Sequence, residues 1–153
     1  MGELQLGSKK LVFFTDRGGV FDAPLDVVWD YILHDEEFHP RAHRDSLRKF
    51  KVKKLSEVTD LASCEVFRGG RWTKMTARST TIPPLARIHE ELKGPYAGTK
   101  MILLYTPKGK RTGIDVFGLI PKELEKENRR TLAKTFREDT PMVRAFAKQH
   151  LRK

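Results

Sequence analysis

The sequence predicts an α+β domain in which a curved seven-stranded antiparallel sheet wraps around one long C-terminal helix, with two short helices after the first strand. Three observations lead there. Apolar residues recur at a spacing of two from Leu47 to Leu119, between turn residues. A helical spacing follows Pro24, and an amphipathic stretch of roughly thirty residues closes the chain, enough to cover one face of such a sheet.

The elements follow in order. Residues 10–15 (Lys-Leu-Val-Phe-Phe-Thr) read as a strand, which Gly18-Gly19 bulges before Val20-Phe21. Asp22 or Ala23 then sits near a helix cap, with Pro24 in the first turn, and Leu25, Val28, Trp29, Ile32 and Leu33 form one face of a helix ending near His34-Asp35. A second short helix or turn spans Glu36 to Asp45, with Pro40 limiting its regularity. Phe50 and Val52 alternate with Lys49, Lys51 and Lys53, as in a half-buried strand. Further strands are expected at 61–67, 71–80, 87–92, 100–105 and 113–119, separated by Gly69-Gly70, Pro83-Pro84, Gly94-Pro95 with Gly98, and the Lys108–Arg111 turn. Pro121 opens the closing helix, whose apolar face carries Leu124, Leu132, Phe136, Val143 and Ala147, continued by Met142, Phe146 and Leu151. Asp139-Thr140-Pro141 interrupts it, as a kink or as the cap of a second helix.

The chain has 153 residues, the size of one domain, and no repeat, low-complexity linker or composition break divides it, so a single domain spanning 1–153 is expected. With 39% hydrophobic and 33% charged residues it is too apolar for a disordered chain and too charged for a membrane one. Residues 1–10 contain no apolar signal core, which makes the cytoplasm the expected location. Cys64 is the only cysteine, excluding an internal disulfide and a thiolate zinc cluster. The formal charge of +10 could attract nucleic acid or anionic lipid. No nucleic-acid motif accompanies it and the basic residues are interspersed with acidic ones, so nucleic acid is not an expected partner; contact with an anionic membrane surface would be transient. Nothing bears on oligomeric state.

The phrase from Val20 to Ile32 (Val-Phe-Asp-Ala-Pro-Leu-Asp-Val-Val-Trp-Asp-Tyr-Ile) resembles the strand-to-helix passage of the Bet v 1-like, or START/polyketide-cyclase (SRPBCC), superfamily. The order of elements matches over nearly the whole chain. The resemblance implies the helix-grip fold and a cavity between sheet and C-terminal helix that holds a small hydrophobic or amphipathic ligand, such as a lipid, sterol or polyketide. Trp72, Met75, Met101, Leu103, Tyr105, Phe117, Phe136 and Val143 are the candidate cavity-lining residues, or else plain core.

Three of the five histidines, His34, His39 and His43, fall within ten residues. His39 and His43 are four apart, which on a helix puts both imidazoles on one face. With Asp139 as a third donor they would make a facial set suited to Fe(II) or Zn(II). The alternative is three surface histidines in a polar loop and an Asp139 that caps a helix at Pro141. Ring-hydroxylating oxygenase catalytic domains, of the same superfamily, bind iron through an acid-x2-His-x4-His stretch and a late aspartate. On that pattern Asp35 matches the acid, His43 the second histidine and Asp139 the aspartate, while Phe38 occupies the first histidine's place and His39 lies one position later. No cysteines are present for a Rieske cluster. His89 and Glu91 share a strand face, as an acid/base pair or a surface ion pair. No phosphate loop, nucleophile elbow or Cys–His pair is visible.

The leading expectation is therefore a cofactor-free binder of a hydrophobic or amphipathic ligand. The alternatives are an enzyme, polyketide-cyclase-like or dependent on Fe or Zn at His39, His43 and Asp139, and, third, a basic nucleic-acid-binding module.

Overall fold

The computed structural model of the chain describes residues 3–6 and 9–150. In order they form strands β1 (Glu3–Leu6) and β2 (Lys9–Phe21), helices α1 (Leu25–Leu33) and α2 (Asp35–Ala42), and strands β3 (Leu47–Lys54), β4 (Thr59–Arg68), β5 (Arg71–Ile82), β6 (Ala86–Lys93), β7 (Lys100–Lys108) and β8 (Arg111–Pro121). A 3-10 turn (Lys122–Leu124) leads into α3 (Glu125–His150). The seven expected strands are β2 to β8; β1 is an additional short strand paired to the outer edge of β2.

All strands join one eight-stranded sheet in the order β1-β2-β8-β7-β6-β5-β4-β3. Each described pairing is antiparallel. The first long strand thus lies against the last, and the excursion through α1 and α2 carries the chain to the opposite edge. The register of β2 on β8 shifts between Asp16 and Gly19, where Gly18 takes a φ of +93°, so the doublet bulges and bends the strand as expected. Gly69 and Gly70 have φ of +59° and +77° and form the two-residue hairpin turn between β4 and β5.

Two features of the helices differ from expectation. Pro24 itself occupies the α1 cap, and no side chain caps that helix. Asp22 instead pairs with Arg111 and Arg144, at 3.4 and 3.1 Å. The second difference is that α3 runs unbroken through Pro141. Proline removes one internal hydrogen bond, to the carbonyl of residue 137. Packing compensates: Val143 and Phe146, just beyond, are 1% and 7% exposed in the main core. Asp139 therefore lies inside a helix and caps nothing.

The core has two parts. The larger joins Phe14, Val28, Trp29, Ile114, Val116 and Ile120 to the α3 residues Val143 and Phe146. The smaller joins Leu47, Cys64 and Val66, with Phe50 and Met75 against them. Trp29 ties α1 to the sheet by donating from Nε1 to the Pro84 carbonyl at 2.5 Å, and Thr112 Oγ1 donates to the Ala23 carbonyl at 2.8 Å. Among the described residues no helix is long and apolar enough to cross a membrane.

β7 and β8 approach so closely at Gly118 that a Cβ there would lie 2.3 Å from the Lys100 carbonyl oxygen. Gly118→Ala is therefore expected to destabilise the protein by roughly 1–3 kcal/mol, since backbone rather than a flexible side chain must give way. A urea denaturation midpoint unchanged from the parent would contradict this.

Candidate functional site

Between the two core clusters the concave face of the sheet is not filled. A cavity of about 260 Å³ lies there, walled by Tyr31 and Ile32 of α1, Met101 and Tyr105 of β7, and Leu47, Phe50, Val66 and Met75 of the smaller cluster. Asn128 and Asp139 reach it from α3. Of the residues expected to line it, Met75, Met101, Leu103 and Tyr105 are on its wall. Trp72 is not: it stands three residues from Met75, an odd step that turns it to the other face. There its ring packs on Phe67 at 5.5 Å, beneath Arg48 at 4.1 Å. Phe117, one residue out of step with buried Val116, likewise lies on the outer face, 5.4 Å from the Arg17 guanidinium. Val143 belongs to the packed core, and the side chain of Phe136 lies outside the described residues.

One end of the cavity carries the histidines. His39 is in the last turn of α2 and His43 is its C-terminal cap, so the two rings meet edge to face with centroids 4.5 Å apart. Phe50 of β3 packs against His39 at 5.4 Å. α3 brings two adjacent carboxylates to His43. Nδ1 lies 2.5 Å from Glu138 Oε2, and Nε2 lies 3.0 Å from Asp139 Oδ1. The second contact is a charge contact without hydrogen-bond alignment, and Nε2 is buried with no hydrogen-bond partner among the described residues. Tyr31 of α1 donates to the same Asp139 oxygen at 3.1 Å. His34 stands apart, with Nδ1 2.7 Å from the Asp30 carbonyl.

Burial opposes the charged form of His43, which is 4% exposed, but Asp139 and then Glu138 outweigh it and hold the pKa above the ordinary 6.5. The donor atoms of His39, His43 and Asp139 all lie within 4.8 Å of one another. Ligands bonded to one ion at about 2.1 Å span roughly 3–4 Å, so a small inward movement would complete the set. The Nδ1 contact to Glu138 is the partner that a metal-binding histidine uses to direct its other nitrogen at the ion.

A second polar group lines the floor. Arg87, His89 and Glu91 of β6 face the cavity, and Ile88 and Glu90 face outward. His89 and Glu91 are thus not a surface pair: Glu91 is 3% exposed, 3.6 Å from His89 Nε2 and 3.0 Å from Arg68 Nη1. Burial would raise the Glu91 pKa, but His89 and Arg68 together bring it below the usual carboxylate range. Sequence reasoning missed Arg68, Tyr31, Asn128 and Glu138. Only Glu138 carried a local signal, as the neighbour of Asp139.

No protein-family profile matches the chain, and no curated protein matches it in sequence. Solved structures do match it. The Zhui aromatase/cyclase from Streptomyces sp. R1128 superposes with a TM-score of 0.70 at 14% identity, over 92% of this chain and 96% of that one. Ara h 8.0201 gives 0.73 at 9% identity, over 88% and 99%. A START superfamily protein from Mycobacterium smegmatis gives 0.70 at 12% identity, over 88% and 97%. The architecture defines a helix-grip protein, and the chain has the Bet v 1-like (SRPBCC) fold.

Because the folded pKa of His43 is raised, its stabilising contribution is complete below pH 6.5 and disappears as the pH rises through the folded value. Thermal melts of the parent and of His43→Gln, with a chelator present, should therefore converge between pH 6 and 9. A difference in Tm that stays constant over that range would refute the assignment.

Proposed function

We propose that the protein binds a small hydrophobic or amphipathic ligand, of the lipid, sterol or polyketide-like kind, between the sheet and α3. The observation that carries this is the cavity itself, unfilled between two packed clusters and walled by Met75, Met101, Leu103, Tyr105 and Phe50, with polar groups at the His43–Asp139 end and along the Arg87–Glu91 floor, as an amphipathic ligand requires. The structural neighbours, an aromatase/cyclase and a START superfamily protein among them, support the same reading. Residues 1–153 act in it as a single domain with a cytoplasmic home, and the basic surface allows passing contact with anionic membranes.

The histidine–carboxylate cluster favours a second reading, an enzyme acting on the molecule in the cavity. In its polyketide-cyclase-like form, the Tyr31–Asp139–His43 chain supplies a proton donor and acceptor beside the ligand. In its metal-dependent form, His39, His43 and Asp139 hold Fe(II) or Zn(II), with Glu138 orienting His43. The ion would supply Lewis acidity next to the ligand. Untagged protein reconstituted with Fe(II) or Zn(II) should then retain one equivalent after desalting, and Asp139→Asn should lose it. Substoichiometric metal in the parent would remove this form and leave the cavity reading untouched.

Ala77, 3% exposed, is a small residue on the cavity wall. Ala77→Phe fills the space its methyl leaves and should weaken binding of the neutral fluorophore N-phenyl-1-naphthylamine by tenfold or more, while overpacking destabilises the fold by about 1–3 kcal/mol. Absence of saturable fluorescence enhancement in the parent, or equal affinity in the folded variant, would defeat the reading.

A further inference from the structure

We propose that the Asn128 carboxamide is the recognition group at the far end of the cavity from Asp139, and that it selects elongated ligands bearing an uncharged carbonyl oxygen there. This rests on the ligand-binding reading above and deepens it.

Asn128 lines the cavity and is 4% exposed, yet its Nδ2 is buried without a hydrogen-bond partner among the described residues. A buried donor left in this state is destabilising, and folded proteins seldom retain one without a ligand or other partner to take it. Its position is held firmly. The preceding residue, Glu127, lies beside Tyr96 and helps to keep its hydroxyl protonated, which sets the first turns of α3 against the loop between β6 and β7. The Tyr96 ring lies 4.3 Å from the Arg68 guanidinium, which in turn holds Glu91 at 3.0 Å.

The same neighbours set the charge of the ligand. Arg68 and Glu91 already neutralise one another, and the other cavity-facing arginine, Arg87, stands four residues from Glu91 along β6, about 13 Å away, so a ligand carboxylate beside Asn128 would be a buried charge without a counter-charge next to it. A carbonyl oxygen accepts from Nδ2 and brings no charge. Asn128 and Asp139 are eleven residues apart on α3, about three turns, which places them on one face roughly 16 Å apart along the axis. A ligand lying along that face therefore meets the amide at one end and the His43–Asp139 cluster at the other.

The probes are 9-fluorenone and fluorene, which share a ring frame and differ by one carbonyl oxygen. The parent protein should bind fluorenone roughly five- to tenfold more tightly than fluorene. Asn128→Leu should bind both alike, with fluorene held at least as tightly as in the parent, and should melt a few degrees higher without ligand because the orphaned donor is gone. Its fluorene affinity also reports that the cavity has formed; if the leucine variant does not fold, Asn128→Ala carries the same comparison. Equal affinities in the parent, or a fluorenone preference that survives the substitution, would overturn the Asn128 assignment alone. Failure of the parent to bind either probe would overturn the ligand-binding reading and this inference with it.

Discussion

The pairing of β2 with β8 is the constraint on which the remaining structure depends. It joins the first long strand to the last, so the chain between them must leave the sheet, cross through α1 and α2, and return by way of β3 at the far edge. That route leaves a broad concave face with α3 crossing it. One helix cannot fill such a surface evenly. It packs densely against β8 and α1 through Val143 and Phe146, whereas β3, β4 and β5 gather their own cluster around Leu47 and Val66. The cavity is what remains between these two centres of packing, a product of topology more than of any one side chain.

His43 is the place where the helices are joined at the edge of that space. It terminates α2, and both its ring nitrogens face carboxylates of α3, one of which also receives the Tyr31 hydroxyl from α1. Beyond the apolar packing of α1 on α3 through Tyr31 and Phe146, α2 is thus tied to the other two helices through a few polar and charged atoms. Such an arrangement is strong when complete and costly when one member is removed, because the others are then left buried without a partner.

Much of the fold was legible in the sequence. β2 to β8 announce themselves by spacing of two and by glycine at the turns, and α1 by Pro24 with its apolar face. The unbroken course of α3 was not legible, because the packing of Val143 and Phe146 that holds it past Pro141 is a tertiary effect. His39, His43 and Asp139 could be singled out by residue type and spacing. Their partners could not: Tyr31 meets Asp139 across 108 residues, and no local pattern encodes that. The floor of the cavity was obscured for a different reason. On β6 the apolar Ile88 faces out while Arg87, His89 and Glu91 face in, which inverts the usual relation between polarity and side.

That inversion bears on how β6 finds its place. Hydrophobic burial normally prevents a strand from slipping by one residue, but here slippage would carry Ile88 inward and Glu91 outward, a move that burial alone would reward. The resistance comes from charges, the buried Arg68–Glu91 pair inside and a second set outside. Glu90 sits directly opposite Arg78 on β5 and Lys100 on β7 and bonds both, at 2.6 and 3.0 Å, and Arg78 and Lys100 hold its carboxyl down at a pKa of about 2. A three-strand ionic clasp on the convex surface thus reinforces the alignment that apolar burial does not secure. Strand alignment and cavity lining are served by opposite faces of the same strand, and a change at an inner position such as Arg87 leaves the outer clasp and the register it supports in place.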